Sequence, residues 1–178
     1  TTAGREVIFE GALSASEPGY LADHRVEGAV IFPAAGFAEL ALAAGSALLG
    51  ARPIRVEDLA LEQALPLSET ESTVVQTILV ADSPNVYQVH FFSRRAIQMD
   101  EVPWVRHGSA TIRPNESAAT AEAAALSDLQ ATLTDAVAPD EHYRRCLAWG
   151  LDYGPCFQGI RRLWRRDHDV LAELALPE

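Results

Sequence analysis

The sequence predicts an α+β fold, with an antiparallel sheet wrapped around one long central helix. Three observations predict it. Ala34 to Leu49 forms a run that is apolar almost all round and carries one charge, Glu39, between Pro33 and Gly50. Thr73 to Ala81 is dense in β-branched residues, which favour strands, and a turn-rich tetrapeptide separates it from a second such run, Val86 to Ser93. The order is strand, strand, helix, then about four strands, which is not the alternation of a parallel βαβ sheet.

Taken in order, residues 5 to 13 read as an opening strand and Ser14 to Gly19 as a loop. Tyr20 to His24 is a short ordered piece. Val26 to Phe32 is mostly apolar around Gly28 and reads as extended chain buried on both sides. Pro33 suits the first position of a helix, where its missing N–H would have no partner anyway. Gly50 suits the helix end. A helix apolar on most faces must be surrounded by protein, and its alanines and glycines let a sheet come close. Ile54 to Ala60 reads as a strand that Leu61 to Leu67 continues with a break at Pro66, and Trp104 to Ile112 as a further strand. Residues 114–138 are rich in Ala, Ser, Thr, Glu and Asp and read as a linker with a short helix over 126–133. Pro139 opens a helix to Trp149 with acids in its first turn, as the helix dipole favours. Leu151 to Gly159 reads as a tight loop, followed by a hairpin over 160–164 and 170–176.

The chain has 178 residues, of which 48% are hydrophobic and 22% charged, so it can build a proper core. Its net charge of −11, from 25 acidic against 14 basic residues, argues against nucleic acid and against an anionic membrane surface. A local basic patch, Arg161, Arg162, Arg165 and Arg166, is the place where a phosphate-bearing partner could bind, though such a cluster is usually a charged strand face. The N-terminal residues show no signal-peptide pattern, and the run from Pro33 to Leu49 is too short and too rich in Ala and Gly for a membrane span. Cys146 and Cys156 have no zinc-type spacing and read as reduced thiols of a cytoplasmic protein.

Five histidines are candidates for chemistry. His90, His107, His142 and His168 read as structural or surface residues. His24 differs, because it precedes an extended segment that leads into a helix N-terminus. Such a terminus offers unpaired N–H groups and about half a positive charge, which stabilise a carbonyl oxygen gaining charge. A histidine side chain, with an ordinary pKa of about 6.5, can take a proton at cellular pH. Base plus oxyanion donors suits proton removal beside a thioester carbonyl. Gly28 would allow close backbone approach, and is equally read as a bulge or packing glycine. Asp23 and Glu27 read as a solvated edge, and Cys156 as a small buried hydrophobe. The motifs of serine hydrolases, phosphate-binding loops and dinucleotide sites are absent.

His24-x-x-x-Gly28-x-x-x-x-Pro33, followed by AGFAELALAAG, resembles the dehydratase domain of modular polyketide synthases. Tyr153-Gly154-Pro155-x-Phe157-Gln158-Gly159 is similar to the same family's Y-G-P-x-F-Q-G. The resemblance implies a double hot-dog, two sheets each wrapped round a helix. Residues 1–113 would be the first hot-dog with His24, 114–138 the linker and 139–178 the opening of the second. It implies loss of water from a 3-hydroxyacyl chain held by phosphopantetheine on an acyl carrier protein, without any other cofactor or metal. His24 would be the base, Gly28 and the Pro33 helix terminus would position the thioester, and Tyr153, Gly154, Pro155 and Phe157 would line the channel.

The family's acid is an aspartate in D-x-x-x-Q or D-x-x-x-H, and no aspartate of this sequence has Gln or His four residues on. The acid is therefore expected outside residues 1–178, and these residues are expected to be inactive alone. Expected partners are the carrier protein, neighbouring synthase domains, and the rest of the double hot-dog or a homodimer mate. The same fold and histidine also suit a pyran-forming cyclase, a double-bond isomerase or a product-template domain. A non-catalytic scaffold or dimerisation domain is the reading from another class.

Overall fold

The computed structural model describes residues 6–50, 52–96, 103–115 and 126–176. Eleven strands are formed among them. In chain order these are β1 (Glu6–Leu13), β2 (His24–Val26), β3 (Ala29–Val30), β4 (Ile54–Leu61), β5 (Thr73–Ser83), β6 (Val86–Arg95), β7 (Val105–Pro114), β8 (Asp135–Val137), β9 (Leu151–Tyr153), β10 (Ile160–Arg166) and β11 (Asp169–Leu174). The helices are α1 (Ala34–Leu49), α2 (Leu126–Thr132) and α3 (Pro139–Ala148), with 3-10 turns at Gly19–Asp23 and Pro155–Phe157.

The chain forms two compact units. One takes the chain up to Leu21 and from Val30 through β7; the other takes Ala22–Ala29 and the chain from α2 onward. The sequence places His24 with residues 1–113. In the structure its segment packs with the later unit, because β2 is hydrogen-bonded to β9.

The first unit is a five-stranded antiparallel sheet in the order β1-β5-β6-β7-β4, with α1 lying against β4, β5 and β7. The strands alternate as a half-buried sheet must. Leu79 of β5, Val89 and Phe91 of β6 and Ile112 of β7 are fully buried, and they share one core with Phe37 of α1. Phe37 stacks edge-on to Phe32 and Phe91, with ring centroids 4.9 and 5.2 Å apart. Close approach of α1 to the sheet depends on Gly45. A Cβ there would stand 2.7 Å from Ile54 Cδ1 and 3.1 Å from Ile112 Cδ1.

Several expectations are corrected here. Pro33 is not the first helical residue but the residue before it, with φ −72° and ψ 152°. The helix α1 is not enclosed all round. Phe37, Ala41, Ala44 and Gly45 are buried, whereas Ala34, Ala35, Glu39, Ala43, Ser46 and Ala47 are exposed. Phe37, Leu40, Leu48 and Leu49 pack in or against the core, and alanine is small enough to face water at little cost. Leu61 to Leu67 does not continue the strand. β4 bulges between Glu57 and Ala60, with Asp58 at φ 53°, and ends at Leu61. The chain then turns so that Glu62 N–H and Gln63 N–H both donate to the His107 carbonyl, at 2.8 and 3.3 Å. His107 itself is a satisfied core histidine, 2% exposed. Its Nδ1 lies 3.1 Å from the Gln63 carbonyl, which can only accept, so Nδ1 carries a proton, and Nε2 is hydrogen-bonded to Ser93 Oγ at 2.7 Å.

The bulge packs β4 tightly on β7 at Gly108, where a Cβ would run into the Ala60 carbonyl oxygen and Leu61. A backbone oxygen cannot swing away like a side-chain tip. Gly108→Ala is therefore expected to destabilise the fold by about 1–3 kcal/mol or more, the range for overpacking. A denaturant midpoint equal to wild type would contradict this packing.

The second unit has a β11-β10-β8 sheet with α3 against β10, and the β2–β9 pair. Composition held no sign of β8, which lies within the stretch read as linker and contributes Val137 opposite Leu163. Leu133, Cys146 and Leu163 are its buried apolar residues, while Leu147, Trp149, Val170, Leu174 and Leu176 are exposed. Among the described residues no helix is long and apolar enough to cross a membrane.

Candidate active site

Val26 to Phe32 is not one buried strand. β2 ends at Val26, and Glu27 and Gly28 turn the chain back with φ 50° and 84°. Two consecutive positive φ values are what a two-residue I′ hairpin turn requires, and the second commonly falls on glycine. Residues 27–29 are exposed. The turn is fixed at both ends. Glu27 N–H donates to the Gly150 carbonyl at 2.7 Å, and Arg25 donates to the carbonyls of Ala22 and Gly28 at 3.1 and 3.3 Å. Gly28 thus acts as a turn glycine, and a Cβ there would meet nothing within 4 Å.

His24 opens β2 and is half-buried. Its register partner on β9 is Tyr153, so the two sequence motifs, more than a hundred residues apart, face each other in one ladder. Leu151 to Gly159 is accordingly not a plain loop, because it contributes β9 and a 3-10 turn. The imidazole lies against two aromatic rings. Its centroid is 5.5 Å from Tyr153 at 35° and 5.0 Å from Phe157 at 53°.

Each residue of Tyr153–Gly159 has a local reason. Tyr153 pairs with His24. Gly154 leaves room for the Asp23 carboxyl, which a Cβ would strike. Pro155 starts the 3-10 turn, where its missing N–H costs nothing. Phe157 N–H closes that turn on the Gly154 carbonyl at 2.9 Å, and Gln158 Nε2–H donates to the Tyr153 carbonyl at 2.6 Å. Gly159 passes close to the Ala175 carbonyl.

Cys156 is exposed rather than buried, because its turn lies on the surface. Its backbone N–H donates to Asp23 Oδ2 at 2.9 Å. A hydrogen bond to the same carboxylate holds the Cys156 thiol above its usual pKa, which disfavours the reactive thiolate. Asp23, read from sequence as a solvated edge, is therefore a partner of the Tyr153–Phe157 segment. No local signal marks it, because its partners lie about 130 residues on.

Tyr153 and Phe157 also wall a cavity of about 560 Å³, together with His142, Tyr143, Ile160 and Leu174. Tyr143 Oη accepts from Ile160 N–H at 3.0 Å. His142 and Tyr143 were not anticipated as neighbours of this segment. Pro155 and Gly154 do not line that cavity. Pro33 belongs to the first unit, at the start of α1. Among the described residues no group of three or more His, Cys, Asp or Glu could hold a metal ion.

Comparison with known proteins defines the class. Residues 1–94 match the polyketide synthase dehydratase domain, and residues 121–178 match the polyketide synthase dehydratase N-terminal domain. The chain belongs to the dehydratase domain family of polyketide synthases, and its fold is the hot-dog of that family. It is 39% identical over 176 residues to polyketide synthase GfsA of Streptomyces halstedii, covering 98% of this chain and 2% of that one. It is 35% identical over 173 residues to the mycoketide-CoA synthase of Mycobacterium tuberculosis, covering 96% of this chain and 4% of that one. Among solved structures, the dehydratase domain from the CurK module of the curacin polyketide synthase superposes with a TM-score of 0.89 at 31% identity, covering 97% of this chain and 60% of that one. Two variants of that domain, one His-to-Phe and one Asp-to-Asn, are described as inactive. The chain thus spans about 60% of that solved domain and a few per cent of the two synthases.

Proposed function

We propose that the chain is the histidine-bearing part of a dehydratase that eliminates water from a 3-hydroxyacyl thioester on an acyl carrier protein, giving the 2-enoyl thioester. The observation that carries this reading is the β2–β9 ladder, which sets His24 against Tyr153 and so brings both family motifs to one place. His24 is the base that takes the α-proton, and the inactive His-to-Phe variant of the CurK domain supports a histidine in that role. The Asp-to-Asn variant supports an aspartate as the acid for the leaving hydroxyl. No aspartate of the sequence stands in D-x-x-x-Q or D-x-x-x-H, so none of these residues is assigned the acid's role. Tyr153 and Phe157, whose rings lie against His24, line the channel for the acyl chain, and Gly154 and Pro155 shape the turn between them. Gly28 and Pro33 position the thioester, on the strength of the family motif. Phosphopantetheine arrives with the carrier protein, and the neighbouring synthase domains are the other partners.

The test is to give the complete dehydratase, with its remaining residues, a 3-hydroxyacyl carrier protein and to follow loss of water by mass. The 2-enoyl product is expected. A ring product or a moved double bond would replace elimination by cyclisation or isomerisation, and inertness across chain lengths would make the domain a scaffold.

A further inference from the structure

We propose that Asp23 is a positioning residue, which holds the Tyr153–Phe157 segment against His24 and so fixes the imidazole beside two aromatic rings. The inference rests on the reading of His24 as the base. Asp23 grips the segment twice. Its carbonyl accepts from Gly154 N–H at 2.8 Å, and its carboxylate Oδ2 accepts from Cys156 N–H at 2.9 Å. Both grips lie one residue from a ring that flanks the imidazole. Tyr153 precedes Gly154, and Phe157 follows Cys156. Asp23 itself precedes His24, so any slip at the carboxylate reaches the imidazole and the rings through a single residue.

A carboxylate suits this place. The early N–H groups of a turn have no partner within it, and a charged acceptor binds them about twice as strongly as a neutral one. The contact is also sterically matched. Only glycine at position 154 leaves space for the Asp23 carboxyl. A base must hold its geometry closely, since small misplacements cost large factors in rate. Half-buried His24 gains that definition from the rings, and the rings gain it from Asp23.

The experiment uses the full synthase chain with Asp23→Ala, Asp23→Asn and Gly154→Ala. The first readout is independent of turnover. It is the rate at which diethyl pyrocarbonate modifies His24, measured by peptide mass with exposed His168 as internal reference. Tyr153 and Phe157 lie against half-buried His24, so loosening them through Asp23→Ala should speed its modification several-fold. Asp23→Asn keeps an oxygen acceptor and should restore the slow rate. Gly154→Ala breaks the same contact from the other side, should also speed modification, and carries the test if Asp23→Ala does not fold. The second readout is turnover. Asp23→Ala should lower kcat roughly tenfold, the size of one lost charge-assisted hydrogen bond, with little change in KM, and Asp23→Asn should recover most of it. Unchanged His24 modification in Asp23→Ala and Gly154→Ala overturns the proposal, as does Asp23→Asn behaving like Asp23→Ala. A wild-type chain without dehydration, but with these modification rates, rejects the proposed reaction and keeps the positioning role.

Discussion

His24→Ala in the complete dehydratase is expected to lower the rate of water loss by roughly 10²–10⁴-fold, the usual contribution of a positioned general base. On the proposed elimination the loss should appear in kcat, because a base that takes the α-proton acts in the transition state. Stability should change little. His24 is half-buried at the start of a three-residue strand, and the backbone pairing with Tyr153 survives removal of the ring. Single-turnover mass spectrometry on a 3-hydroxyacyl carrier protein, beside a thermal melt of the same variant, separates the two quantities. Undiminished elimination by a folded His24→Ala protein would remove His24 from the reaction.

Phe37→Ala is expected to cost about 3–5 kcal/mol, the range for deleting a large buried aromatic side chain. Phe37 is 2% exposed and joins α1 to the sheet through Phe91 while holding Phe32 on its other edge. Its removal opens a cavity between helix and sheet that rigid strands cannot collapse to fill. The denaturant midpoint should fall sharply with an unchanged slope. A loss below about 1 kcal/mol, as for an exposed position, would show that Phe37 does not join helix to sheet in this way.

Much of the first unit was legible, since its elements are long and repetitive. The alternation along Thr73–Ser83 and Val86–Arg95 repeats often enough to fix strand and face together. The run after Pro33 could only be a helix, although its burial was overestimated. Alanine counts as apolar in a pattern, yet it tolerates water, so composition could not tell the covered face of α1 from the open one. Short elements were the weak point. β2, β3, β8 and β9 have two or three residues each, below the length at which any period shows. Glu27 reads as part of an extended segment, because its positive φ is set by the hairpin and not by its residue type.

The candidate site divides in the same way. His24 and the Tyr153–Gly159 segment could be found in one dimension, because each is a local string of residue types. Asp23 could not, because an aspartate beside a histidine carries no mark until the chain returns about 130 residues later to present Gly154 and Cys156 to it. The sequence by itself determined the α+β class, the long helix and the sheet hairpin, which follow from side-chain periodicity and backbone preference within a few turns of chain, and it carried the two motifs through their resemblance to the dehydratase family. Only the tertiary structure decided that His24 pairs with Tyr153, that Gly28 is a hairpin turn, and that Asp23 binds the turn beside the imidazole. Those are long-range pairings, fixed by which strands find each other and not by any local preference of the residues that meet.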